Sequence, residues 1–186
     1  MSVISAERFA GGLTWKEYLA QCEEHLDQRR KLYASVTFTA EQEAALSKLK
    51  NLGLHALIIE EDWCGDAART GPVLARIAEA TGIKARWFLR DSNLDIMDQY
   101  LEGGTSRAIP VFVFMDKDLN YLSHWGSRPA AVKKAIKPLL PLPPREDPAR
   151  EEAFERFREV LTDAYNSIFP EGIVNELLEH ITKAAG

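Results

Sequence analysis

Thiols are scarce in this chain. Cys22 and Cys64 are its two cysteines in 186 residues, and they stand far apart in sequence. That excludes a disulfide scaffold, which small secreted domains build from several closely spaced cysteines, and it fits a reducing cytosol. Long apolar runs are missing as well: none approaches the ~20 residues that a membrane-crossing helix needs. The opening "MSVISAERFAGGL" has no basic start followed by an apolar stretch, so no secretory signal is expected. There is no basic excess, because 23 Lys and Arg stand against 28 Asp and Glu. The resulting charge of −5 is spread along the chain, which argues against nucleic acid or an anionic membrane as partner. The histidines (His25, His55, His124, His180) show no ligand spacing with Cys64, so no metal and no cofactor is expected. Internal repeats and low-complexity tracts are absent.

What is present is an ordinary soluble composition, with 46% apolar and 27% charged residues, long enough for one domain with appendages. Thr14 and Glu17 form a capping box, after which Trp15, Tyr18, Leu19, Cys22, Leu26 and Tyr33 recur on one helical face. A second box, Thr39 with Gln42, opens a helix that stops by Gly53. "LHALII" (54–59) reads as a buried strand. A helical pattern follows from Asp66 to Thr81 with Gly82 as its stop and Pro72 as an internal kink. "KARWFLR" (84–90) is the next strand, Asn93 opens a short helix, and "IPVFVFM" (109–115) turns through "DKDLN" into "YLSHWG" (121–126) as a hairpin. A last core helix spans about 129–140. The helical crossover makes the first two strands parallel, and the short turn makes the last two antiparallel.

"PLPP" (141–144) is a stiff joint, and Asp147-Pro148 starts a further helix. Phe154, Phe157, Leu161, Tyr165 and Ile168 form one stripe, broken at Phe169-Pro170. Ile173, Val174, Leu177, Leu178 and Ile181 form another. Both are expected to pack on their own core rather than at a dimer contact, leaving a monomer. The expected organisation is therefore an N-terminal helical extension (1–39), an α/β core with a central mixed sheet (40–140), and a C-terminal helical extension packed on that core (141–186).

The chemistry concentrates in "IIEEDWCGDAARTGP" (58–72), where a tryptophan, a cysteine and a glycine stand between a strand and a helix. With Pro72 eight residues after Cys64, "RAIPVFVF" opening the third strand, and Gly126 after the hairpin, the segment 40–140 resembles the thioredoxin family. It is similar to a branch with one motif cysteine and helical extensions at both ends. The resemblance implies a cis Ile109–Pro110 bond with Ile109 facing Cys64; the site expected here has Trp63, Gly65, Ile109 and Pro110 contacting substrate, with Cys64 and Asp66 as its catalytic candidates. Family members carry W-C-G-P-C, whereas this chain carries Trp63, Cys64, Gly65, Asp66 and Ala67, so the resolving sulfur is absent and the dithiol cycle cannot run. By the same resemblance the buried acid falls at Ile58 and its lysine neighbour at Trp87, so both members of a proton-handling pair are replaced by apolar residues.

A helix N-terminus favours a thiolate by about 0.3–1 kcal/mol. One carboxylate about 6 Å away, at an effective dielectric of about 40, repels it by roughly 1.4 kcal/mol. Glu60, Glu61, Asp62 and Asp66 surround Cys64 in sequence, and the first three read as a solvated turn. Asp66 has two readings, a first-turn acid satisfying free N–H groups or a substrate contact. Cys22, Tyr121 and Trp125 read as packing residues, and Trp63 as a partly exposed wall of a shallow groove. Two functions follow. In one, Cys64 is presented to solvent and exchanges with a low-molecular-weight thiol or a client protein disulfide. In the other, a non-catalytic module keeps the fold to bind a peptide or protein partner.

Overall fold

The computed structural model describes residues 4–185. Three short helices come first: α1 (Ala6–Ala10), α2 (Trp15–Gln21) and α3 (Leu26–Ser35). The Thr14–Glu17 capping box is formed, its Thr14 N–H held by the Glu17 carboxylate at 2.8 Å. The apolar stripe read as one helical face is cut in two, because Cys22 caps the end of α2 and His25 turns into the left-handed region at φ 55°. No glycine or proline marks that break, so periodicity alone carried across it. The second box is also formed, between Thr39 and Gln42 at the start of α4 (Ala40–Leu49).

Strand β1 (His55–Glu60), helix α5 (Gly65–Thr81) and strand β2 (Lys84–Leu89) make a parallel crossover unit. Gly82 ends α5 at φ 76°, a conformation that costs a residue without Cβ little. After α6 (Leu94–Met97), β3 (Val111–Met115) and β4 (Tyr121–Gly126) form an antiparallel hairpin, and β3 also runs antiparallel to β1. The sheet is mixed, in the order β2-β1-β3-β4. Leu13 bridges the outer edge of β2 by reciprocal bonds with Trp87, at 3.0 and 2.7 Å. The N-terminal segment thus covers an edge that would otherwise lie open. Helices α7 (Ala130–Ile136), α8 (Arg150–Ile168) and α9 (Glu171–Ala185) complete the chain.

Side chains alternate across the strands, so the sheet has an apolar cluster on each face. One joins Ala56, Ile58, Phe112 and Phe114 to Tyr18, Cys22, Leu74, Ile77, Tyr165 and the α9 residues Ile173, Val174 and Leu177. The other joins Leu57, Ile59, Val111 and Val113 to Phe9, Ile96, Met97, Ile109 and Cys64. Helix α9 is seated deep in the first cluster. Trp125 packs face to face on Phe112 with ring centres 5.0 Å apart, while Tyr121 remains exposed. Among the described residues no helix is long and apolar enough to cross a membrane.

Candidate functional site

Strand β1 ends in the core and α5 begins at residue 65, so the segment 60–64 must climb out of the sheet and cap a helix within five residues. The cap is Cys64 itself: its backbone is extended, and its sulfur accepts the Ala67 N–H at 3.5 Å. The same sulfur donates to the Ile109 carbonyl at 3.5 Å. The Ile109–Pro110 peptide bond is cis. Cys64 and Ile109 therefore meet, and both are buried, with exposures of 7% and 6%. The sulfur is not presented to solvent as the sequence reading had it. Burial, more than the neighbouring carboxylates of Asp66 and Glu60, pushes the Cys64 thiol up to about 11. In this closed arrangement it is a neutral thiol.

The acidic run before it is not a solvated turn. Glu60 is fully buried and pairs with Arg29 of α3, also fully buried, at 3.0 Å. Arg29 binds the carbonyls of Glu61 (3.0 Å) and Asp62 (3.3 Å) as well, and lies over the Tyr18 ring at 5.2 Å. Glu61 is buried and accepts the Asp91 N–H at 2.8 Å. Asp62 accepts the N–H groups of Glu23 and Glu24 at 2.9 and 3.2 Å. Each acid is thus assigned to a donor elsewhere in the chain, and together they clamp the loop that carries Cys64.

A buried carboxylate is therefore retained, contrary to the reading that the buried pair is lost. Ile58 and Trp87 do stand opposite each other as apolar neighbours in the β1–β2 register. The acid has moved two residues along the same face of β1, to Glu60, and its cationic partner comes from the N-terminal segment. Burial holds the Glu60 carboxyl up at about 7 against the opposing pull of Arg29. Tyr18 Oη and Trp87 Nε1 border this carboxylate without well-formed hydrogen bonds, and Glu60 Oε2 and Arg29 Nε are likewise unpartnered. Gly71 makes room for it. A Cβ there would lie 2.9 Å from Glu60 Oε2 and 3.2 Å from Oε1. Sequence inspection missed Arg29 and Gly71; the usable signal was an arginine at the hydrophobic face of a helix, a residue almost never buried without a partner.

Asp66 does not cap α5. Its Oδ1 accepts the Tyr165 hydroxyl from α8 at 2.9 Å, and its Oδ2 accepts Arg128, just beyond β4, at 2.7 Å. Arg69, one turn into α5, donates to the Gly65 carbonyl at 2.8 Å and lies over the Tyr165 ring at 5.2 Å. Trp63 is 44% exposed and carries the Arg90 guanidinium 4.9 Å from its ring centre. Cys22 packs in the first apolar cluster and donates to the Tyr18 carbonyl at 3.2 Å. Both cysteines are free. Two surface grooves lie away from this site: one of about 610 Å³ is lined by Leu122, Ser123, Asn175, Glu176 and His180, another runs along α8, and Cys64 lines neither. Among the described residues no group of three or more His, Cys, Asp or Glu could hold a metal.

The sequence matches the thioredoxin family model over residues 12–143. The chain belongs to the thioredoxin family. The match takes in α2 and α3, the helices that supply Tyr18 and Arg29. The fold of this thioredoxin-family chain is also similar to that of a protein of unknown function from Pseudomonas aeruginosa. That likeness has a TM-score of 0.65 at 18% identity and covers 99% of each chain. An HIV epitope-scaffold is similar too, with a TM-score of 0.64 at 17% identity over 98% of each chain. Both likenesses span the terminal helices as well as the sheet. No curated protein matches this thioredoxin-family sequence.

Proposed function

We propose that this thioredoxin-family protein performs monothiol exchange in cell redox homeostasis in the cytoplasm, with Cys64 as its working sulfur. The observation that supports this reading is placement. The sulfur caps α5, receives the Ala67 N–H, and faces the carbonyl of the residue before Pro110. A thiolate formed there gains from that N–H and from the helix N-terminus. Its substrate is a mixed disulfide between a client protein and a low-molecular-weight thiol. The Cys64 thiolate attacks the small-thiol sulfur, the new Cys64–S bond forms as the old S–S bond breaks, and the client leaves as a thiolate that takes up a proton. A second small thiol, as thiolate, then attacks the same sulfur. Cys64 is released and a small-molecule disulfide forms, so the two electrons come from the small thiols in solution. Ala67 makes the outside thiol obligatory, since the helix offers no second sulfur.

A second reading, a non-catalytic binding module for a peptide or protein, is favoured by the 7% exposure of Cys64 and by a thiol held near 11. One experiment separates the two. Native protein is incubated with an oxidised small thiol and weighed, with a urea-denatured sample alongside. Monothiol exchange gives one adduct, on Cys64, that excess reduced thiol removes, and Cys64→Ser abolishes it. If Cys64 stays unmodified in native protein while the denatured sample reacts, the redox reading is wrong and the binding module takes its place.

A further inference from the structure

A groove of about 470 Å³ is shared by α2 and α3. Trp15, Lys16, Leu19 and Ala20 line it from the first helix, and Arg30 and Tyr33 from the second. Trp15, Leu19 and Tyr33 are half-buried, whereas Lys16 and Arg30 are exposed. Apolar and aromatic walls with a few placed polar groups, in a volume of this order, are what small-molecule sites have in common. The walls are held from behind. The Trp15 ring packs on Trp87, Tyr33 and Tyr18 with ring centres 5.3, 5.9 and 6.0 Å apart. Tyr33 donates its hydroxyl to Glu79 at 2.9 Å, and Arg76 lies 5.2 Å from its ring centre. A surface fixed in this way loses little freedom when a ligand settles on it.

The charge in the groove is of one sign. No Asp or Glu lines it. Among the described residues neither Lys16 nor Arg30 forms an ion pair, although Asp27 stands one turn before Arg30. Glu17, next to Lys16, is folded back onto Thr14, and Glu79 pairs with Arg76. A second groove, which shares Trp15, Lys16 and Tyr33, adds Lys84 and Arg86. In a chain of net charge −5 this corner draws anions. The other grooves lack the combination. The one along α8 is lined by Glu155, Glu159 and Asp163 beside Arg158, and the one at β4 carries Glu176 and Glu179.

We propose that the groove between α2 and α3 binds a small aromatic carboxylate. Its ring lies against Trp15, Leu19 and Tyr33, and its anionic head is held at the rim by Lys16 and Arg30. The apolar walls supply contact area, and the two cations select for the charge. The site makes no use of Cys64 and stands whether or not that sulfur exchanges.

The test compares naphthoate with its neutral isostere naphthamide, each measured by equilibrium dialysis against the full-length protein. Naphthoate should bind saturably, one molecule per chain, and more tightly than naphthamide. That advantage should shrink as salt is added, because exposed charges are screened. Lys16→Gln combined with Arg30→Gln should weaken naphthoate by about fivefold and leave naphthamide unchanged. Lys134→Gln, an exposed lysine on α7, should alter neither. Leu19→Ala should weaken both ligands together. Should that variant not fold, Ala20→Glu, which sets a carboxylate in the groove from an exposed helical position, should abolish naphthoate binding. Equal affinity for the two ligands overturns the proposal, and so does an absence of saturable naphthoate binding. An equal loss in Lys134→Gln and in the double variant would reduce the effect to overall charge and overturn it as well.

Discussion

Two ion pairs fasten the stretch that carries Cys64 to other parts of the chain, and they differ in kind. Arg29–Glu60 ties the N-terminal helices to the end of β1 with both side chains fully enclosed. Arg128–Asp66 stands at the start of α5 with side-chain exposures of 28% and 9% and shares its carboxylate with Tyr165. Removing one partner of an enclosed pair leaves a charge with nowhere to go, whereas water can reach a rim pair and substitute for what is lost. The first pair is thus part of the foundation of the fold, and the second can break and re-form while the fold persists. The difference also separates what the two pairs join: one ties α3 to the end of β1, the other ties the turn after β4 to the start of α5.

The sharpest way to break that comparison is to delete a cation from each pair. Arg29→Met should cost about 3–5 kcal/mol in urea unfolding, because Glu60 is left in the core without its cation and donor, and adding Glu60→Leu should recover most of the loss. A cost below about 1 kcal/mol would mean that the enclosed pair is not part of the foundation.

A pH series sharpens it next. The Glu60 carboxyl is raised from 4.5 to about 7 by burial. A raised carboxyl gives stability that is complete below the unfolded value of 4.5 and is lost as pH climbs through about 7. Unfolding free energy should therefore fall between these limits by on the order of 3 kcal/mol. In Glu60→Gln that part of the slope should vanish; an identical slope in both proteins would place the titration elsewhere. The smallest effect belongs to the rim. Arg128→Gln should lower stability by about 1 kcal/mol or less, and a loss as large as that of Arg29→Met would erase the distinction.

The regular elements were legible because their signals are local. Thr14 with Glu17 and Thr39 with Gln42 announce two helix starts, Gly82 ends α5, and the alternation of 109–126 spells a hairpin. The mixed sheet followed from the length of its connections. The family resemblance also brought Cys64 together with Ile109. The fates of the acids were not legible. Glu60, Glu61 and Asp62 have the composition of an exposed turn, and their partners (Arg29, Asp91, and the backbone of Glu23 and Glu24) lie up to 39 residues away. No periodicity encodes such a pairing, since it exists only after tertiary contacts form. Asp66 misled for the same reason, as a first-turn acid normally serves its own helix.

One consequence of the Tyr165–Asp66 contact concerns the order in which the chain is made. The hydroxyl lies 99 residues downstream of the carboxylate that accepts it. During synthesis, Arg29, Glu60 and Cys64 have all left the ribosome long before α8 exists, and Arg128 also emerges ahead of it. A nascent chain therefore passes through a stage in which Asp66 has been made and the hydroxyl that will donate to it has not.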